Sequence, residues 1–150
     1  MIVRIYTYNS QHEPLTATDA SGQTTTMTYN SLGQLLTREN ALSQTTTLVY
    51  AGPSGSGTGD FLHTVTGPVS GSTTTYTYDS AGRTSTMTDS EGYELTYAYD
   101  NLDRITSVTY PNSTTDQTIY HNLDVAETID RQSRPTYHYY DAIREMVQPS

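Results

Sequence analysis

The stretch Tyr78-Asp79-Ser80-Ala81-Gly82-Arg83-Thr84-Ser85-Thr86-Met87-Thr88-Asp89-Ser90-Glu91-Gly92-Tyr93-Glu94-Leu95-Thr96-Tyr97-Ala98-Tyr99-Asp100 opens and closes on the same Tyr-Asp pair, and its reading decides the fold. Asp79 has a short polar side chain that can bond its own backbone to start a turn, and Gly82 tolerates the positive φ that closes one. Residues 84–88 are β-prone, Asp89 to Gly92 repeat the turn signal, and residues 94–99 form a second β-prone run. Within that run Tyr97 and Tyr99 stand at i, i+2 and so share one face of a strand. The unit is a β-hairpin 21 residues long.

Outward from this unit the pattern recurs in both directions. Tyr8, Tyr29, Tyr50, Tyr78, Tyr99, Tyr120 and Tyr140 are separated by 21, 21, 28, 21, 21 and 20 residues. Asn9, Asn30, Asp79, Asp100 and Asp141 follow the tyrosine in five copies. Four residues after it come Gly33 or Gly82, or else Asp103 or Asp124, the expected left-handed residue of the first turn. Gly22 and Gly92 mark the second turn. Residues 9–13 lack the glycine, and Arg144 stands where it belongs in the last copy. Further tyrosine pairs, Tyr6/Tyr8, Tyr76/Tyr78 and Tyr137/Tyr139, repeat the i, i+2 spacing, so the rings are expected to line up in ladders across the sheet. The 28-residue interval fits once residues 51–60, rich in Gly and Ser, are read as an enlarged first turn. Residues 1–150 therefore read as a single array of about six hairpins, with a strand every 10 or 11 residues.

Composition agrees. Only 33% of residues are apolar, with one Phe and neither Trp nor Cys, whereas Tyr occurs 14 times and Thr 29 times. That mixture suits pleated, half-buried surfaces and an all-β chain, and its aromatic and β-branched content separates it from disordered polar chains. Many small cross-strand terms then hold the array, in place of one oily core. The formal charge is −9, with seven arginines and no lysine, so no basic patch can be assembled for nucleic acid or an anionic membrane. No stretch has the ~18 apolar residues of a membrane span, and residues 1–6 lack the apolar run of a secretion signal. A chain without membrane insertion is expected, leaderless or part of something larger. Absent cysteine leaves the redox compartment open.

Chemistry finds few footholds. His12, His63, His121 and His138 form no metal motif, although His121 and His138 could approach in adjacent hairpins. Asp79, Asp100 and Asp141 recur at one repeat position, which favours a turn role over paired catalytic carboxylates. Calcium β-rolls need a denser acidic pattern, and the 51–60 loop lacks the lysine of a phosphate-binding loop. Without a nucleophile elbow, lysine or cysteine, the reading is no catalytic residue, no cofactor and no metal. His63→Ala is expected to do little, and a β-branched residue at Gly82 to break its turn. Asn112-Ser113-Thr114 matches a glycosylation sequon of the kind that arises by chance in a Ser/Thr-rich chain. Exposed tyrosine rows leave glycan binding as a further option.

The residues Tyr78-Asp79-Ser80-Ala81-Gly82-Arg83, then 86–89 through Gly92, then Tyr97-Ala98-Tyr99-Asp100 resemble the YD repeat of the Rhs (rearrangement hotspot) family. That repeat also occurs in teneurins and in the cocoon-forming subunits of insecticidal toxin complexes. The likeness runs from about Tyr6 to Asp141. It implies hairpins laid side by side in an extended, spiralling antiparallel sheet, serving as wall or scaffold around a toxin or other cargo in an extracellular or surface protein. Complete shells of this kind need many more repeats, followed by a plug and a toxin segment, and neither is found here. The open ends of such an array also allow self-association, either with neighbouring repeats or head to tail into a filament.

Overall fold

A computed structural model describes residues 4–55, 57, 59–141 and 146–147. The described residues form strands and turns and no helix. The strands are β1 (Ile5–Tyr8), β2 (Pro14–Thr18), β3 (Thr24–Tyr29), β4 (Leu35–Glu39), β5 (Thr45–Ala51), β6 (Phe61–Thr66) and β7 (Thr73–Tyr78). They continue with β8 (Thr84–Thr88), β9 (Glu94–Tyr99), β10 (Ile105–Thr109), β11 (Thr115–His121), β12 (Asp124–Ile129) and β13 (Pro135–Tyr137). These make one 13-stranded antiparallel sheet in which spatial order is sequence order. A turn signal every ten residues allows only local reversals, so each strand pairs with its chain neighbours.

The sheet is a single layer. Among the described residues only Ala51 is a buried hydrophobic, at 5% exposure. The chain exposes 10228 Å², where a compact globular protein of 16.6 kDa would expose roughly 7,600 Å². Its two faces differ in chemistry. Register places Thr28, Thr37, Thr47, Thr66 and Thr73 in one row across β3 to β7, and Thr77, Thr86, Thr96, Thr109 and Thr115 in another across β7 to β11. Neighbouring hydroxyls bond within these rows, as in Thr28–Thr37 at 2.6 Å and Thr77–Thr86 at 2.8 Å. Alternation sends tyrosine and aliphatic side chains to the opposite face, where Tyr76, Met87 and Leu95 form one row and Leu48 and Val65 another.

Four of the six reversals at each edge of the sheet use one turn. Asn9, Asn30, Asp79 and Asp100 at one edge, and Asp19, Asn40, Asp89 and Asp130 at the other, accept the N–H groups of the residues two and four positions on through Oδ1. The third residue after each has positive φ. Gly22, Gly33, Gly82, Gly92 and Asp103 fill this place, but so do His12, Ser43 and Ser133. The apparent defect at residues 9–13 is therefore a complete turn with His12 at φ 65°. Asp124 departs from expectation: it is the first residue of β12, opposite His121, and the left-handed residue is Asn122. This two-residue reversal is shorter than the others and accounts for the 20-residue interval. Tyr140 and Asp141 lie beyond the main sheet. Tyr139–Tyr140, β14, pairs instead with Met146–Val147, β15. Arg144 lies outside the described residues.

The two edges differ in register. Each pair closed by a tyrosine-led turn carries a β-bulge beside the tyrosine, leaving Leu15, Leu36, His63, Ser85, Thr106 and Ala126 as the extra residues. Pairs closed by the second turn run in continuous register. Bulges bend a strand and increase its twist. Confining them to one edge gives the sheet a built-in bias to coil.

The start of the enlarged turn, residues 51–55, folds back on the following hairpin. Ala51 pairs with Phe61, the Pro53 carbonyl accepts the Tyr78 N–H at 2.9 Å, and the Phe61 and Tyr78 rings meet at 4.7 Å. His63 is tied in here. Its Nδ1 donates to the Tyr76 carbonyl at 2.9 Å, and a Cβ on Gly55 would strike its ring. The expectation that His63→Ala is nearly silent is thereby revised: the substitution removes a half-buried hydrogen bond at a bulge and should cost about 1 kcal/mol. Gly82, at φ 82°, would place a Cβ 3.3 Å from the Phe61 ring, whereas Gly22, at φ 79°, has nothing within 4 Å. Gly82→Val should cost about 2–3 kcal/mol and Gly22→Ala about 1 kcal/mol in urea melts of the intact chain; equal losses would refute this turn assignment.

Candidate functional site

The most organised chemistry runs along the tyrosine-led edge, where each turn is linked to the next. In register the tyrosine of one repeat faces a residue across the bulge: Tyr8 faces Pro14, Tyr50 faces Leu62, Tyr78 faces Thr84 and Tyr99 faces Ile105. The carbonyl of that facing residue accepts the hydroxyl of the next tyrosine. Tyr29 donates to Pro14 at 3.0 Å, Tyr78 to Leu62 at 2.8 Å, Tyr99 to Thr84 at 2.8 Å and Tyr120 to Ile105 at 3.2 Å. The expected ladder of rings is thus a ladder of hydroxyl-to-carbonyl bonds. Ring-to-ring contacts among the described residues are Tyr6–Tyr8 and Phe61–Tyr78. Partial burial raises the pKa of Tyr29, Tyr78 and Tyr99 above the ordinary phenol value, which keeps these hydroxyls as donors.

Three turn carboxylates, Asp79, Asp100 and Asp130, divide their two oxygens between two tasks. While Oδ1 holds the turn backbone, Oδ2 of Asp79 accepts from Arg83 Nε at 2.8 Å and lies 2.7 Å from its Nη2. Asp100 does the same with Arg104, and Asp130 with Arg134. Where the turn residue is an amide, the residue four on changes to match: Asn9 Nδ2 donates to Glu13, Asn30 to Gln34 and Asn40 to Gln44. Arginine in this place thus goes with aspartate, and asparagine with an acceptor, while Asp19 and Asp89 are followed at the fourth place by Gln23 and Tyr93. The hydrogen bonds from arginine, joined by those from turn N–H groups, hold Asp79, Asp100 and Asp130 below the ordinary carboxylate pKa.

Arg83 and Arg104 reach further. Arg83 Nη1 donates to the Asp100 carbonyl at 3.0 Å and to Asp103 Oδ1 at 2.9 Å, and its guanidinium lies 4.7 Å from the centre of the Tyr99 ring. Arg104 Nη1 donates to the Asn122 carbonyl at 2.7 Å and sits 3.8 Å over Tyr120. At the other edge Arg131 stacks 3.9 Å over Tyr110 and donates to Thr114. In the sequence Arg83 stands out only as the last residue of the Tyr78–Arg83 motif, with no role marked for it. The signal was available: an arginine at the fourth position after a turn aspartate. His121 and His138 do line one recess, with Asp124 and Asp141, yet no three such side chains among the described residues are placed to hold a metal ion.

Two outcomes follow from this geometry. Tyr99→Phe leaves the Thr84 carbonyl without its donor and should cost about 1 kcal/mol in denaturant melts, with no change in strand content by circular dichroism. Because the pKa values of Asp79, Asp100 and Asp130 are depressed by folding, their contribution is full above the unfolded carboxylate value and is lost as pH falls through the depressed one. Melting midpoints should therefore decline below about pH 4, more steeply than in the triple variant Asp79→Asn/Asp100→Asn/Asp130→Asn, whose profile loses this component.

Among solved structures, the sheet is similar to a chain of the Photorhabdus luminescens Tc holotoxin pore, with a TM-score of 0.72 and 16% identity over 95% of this chain and 8% of that one. It is similar to TcdB2-TccC3-TEV, with a TM-score of 0.69 and 11% identity over 96% of this chain and 9% of that one. A third likeness is to TcdB2-TccC3 without its hypervariable C-terminal region, at a TM-score of 0.55 and 18% identity, covering 96% of this chain and 7% of that one. The chain therefore spans less than a tenth of each of these structures, and at such identities the likeness is one of fold. No curated protein matches the sequence. The RHS Repeat family model matches residues 8–45, 56–94 and 79–115, more than half of the sequence and including the Asn9, Asn30, Asp79 and Asp100 turns described above, so the chain belongs to the RHS repeat family.

Proposed function

We propose that this chain is a wall or scaffold segment of a larger secreted or surface protein, acting without catalysis to enclose or display a toxin or other cargo. The observation that carries this reading is the single-layer sheet, whose exposed area of 10228 Å² exceeds that of a compact chain of its mass by about a third. A layer with two accessible faces and local pairing can be lengthened one hairpin at a time without redesigning a core. The fold shared with Tc toxin chains more than ten times as long supports the same use. Its partners are then neighbouring repeats and, in a parent chain, the cargo.

A second reading, a filament formed head to tail, is favoured by the outer strands. β1 and β13 pair on one side only within the sheet, and Ile5 at 64% and Tyr137 at 58% exposure lie on them. Glycan adhesion ranks third, because the hydroxyls of Tyr29, Tyr78, Tyr99 and Tyr120 are already spent on carbonyls. Sedimentation across a concentration series, with negative-stain imaging of the same samples, separates the first two. The wall reading predicts a monomer whose size does not change with concentration. Long uniform fibres would overturn it in favour of the filament.

A further inference from the structure

The turn chemistry divides the array into two blocks. From Tyr8 to Tyr50 the tyrosine-led turns are amide-based, with Asn9–Glu13 and Asn30–Gln34 as their side-chain pairs. Links from one of these turns to the next are weak: Gln34 Nε2 reaches Asp60 at 3.4 Å. From Tyr78 to Tyr120 the turns are Asp-Arg, and both arginines cross to the next repeat. Arg83 meets a carbonyl, a carboxylate and a ring there, and Arg104 a carbonyl and a ring. The seam between the blocks is the enlarged turn around Ala51, closed by the Pro53–Tyr78 hydrogen bond and the Phe61–Tyr78 contact.

We infer that Arg83 and Arg104 are directional staples that lock the C-terminal block electrostatically, while the described contacts of the N-terminal turns include no ion pair, so that ionic strength sets which end of the array loosens first. The staples point one way, from each repeat toward its C-terminal neighbour. They are also accessible to salt. The side chains of the Asp79–Arg83 pair are 26% and 27% exposed, both members of the Asp100–Arg104 pair are 24% exposed, and Asp103 is 74% exposed. Mobile ions screen such pairs strongly at about 1 M salt, where the Debye length is roughly 3 Å, and leave tyrosine-to-carbonyl bonds and threonine pairs nearly untouched. A wall built this way keeps its backbone ladder throughout but changes the stiffness of one block with the medium. The inference rests on the links between turns and holds whether or not the chain walls a cargo.

Site-resolved hydrogen exchange on the intact chain tests it, comparing low salt with about 1 M NaCl at neutral pH. Amides of β8 and β10 should exchange roughly threefold faster in high salt, while those of β2 and β4 should be unchanged. The Arg83→Gln/Arg104→Gln variant should lose this salt response. If that variant does not fold, Arg104→Lys, which keeps the charge but not the planar fork, should show a reduced response confined to β10 and β11. The converse change, Asn9→Asp/Glu13→Arg, should confer salt sensitivity on β2 to β4, because the Glu13 carboxylate already reaches the next turn, 2.7 Å from where a Gly33 Cβ would stand. An equal salt response in the two blocks, a response that survives in Arg83→Gln/Arg104→Gln, or one that is undiminished at β10 and β11 in Arg104→Lys would overturn the inference.

Discussion

Everything in this molecule depends on satisfying the backbone at the strand reversals without a core to bury them in. A layered protein can hide an imperfect turn beneath other elements, but a single sheet presents each turn to water along both edges. The solution here is one side chain used many times. An Asp or Asn at the head of the turn takes two backbone N–H groups on Oδ1, and a left-handed residue three places on completes the reversal. Each turn is then self-sufficient, and the array can be extended without long-range contacts. The same economy explains why the polar composition is no obstacle to folding: stability is distributed over threonine rows, bulges and turn bonds.

Asymmetry between the edges turns a ribbon into a directional structure. Bulges occur only beside the tyrosine-led turns, and there the residues opposite Tyr8, Tyr50, Tyr78 and Tyr99 have carbonyls that the next tyrosine reaches. The tyrosine is thus a tie between repeats as well as a strand residue. Arginine adds a second tie from the same edge, but only where the turn residue is aspartate, since the carboxylate's second oxygen is what orients the guanidinium. Geometry, register and charge all refer back to one position in the repeat.

Much of this was legible in the order of residues. The 21-residue period fixes the strand count and sequential topology, and Gly33 and Gly82 reveal their turns because glycine alone enters the left-handed region without strain. His12, Ser43 and Ser133 were missed because their residue types tolerate many conformations, and only the Asn or Asp three places earlier marks them. Asp124 misled because its position in the period was right while the preceding turn was one residue short. Tyr140 kept the spacing but left the sheet, and no local feature of Tyr139–Tyr140 distinguishes pairing with β12 from pairing with Met146–Val147. Links between turns, such as Arg83 to Asp100, depend on which turns lie side by side, which the register determines and a linear pattern does not display. His63 looked incidental for the same reason: its acceptor, Tyr76, belongs to the neighbouring strand.

Thirteen strands form one open layer, and small-angle X-ray scattering from the monomeric chain tests this most directly. At about 4.8 Å per strand the sheet extends over 50 Å across, so the radius of gyration should lie clearly above the ~15 Å of a compact 150-residue globule. A value at or below that figure, with a correspondingly short longest dimension, would mean that the layer packs back on itself around a core, contrary to this structure.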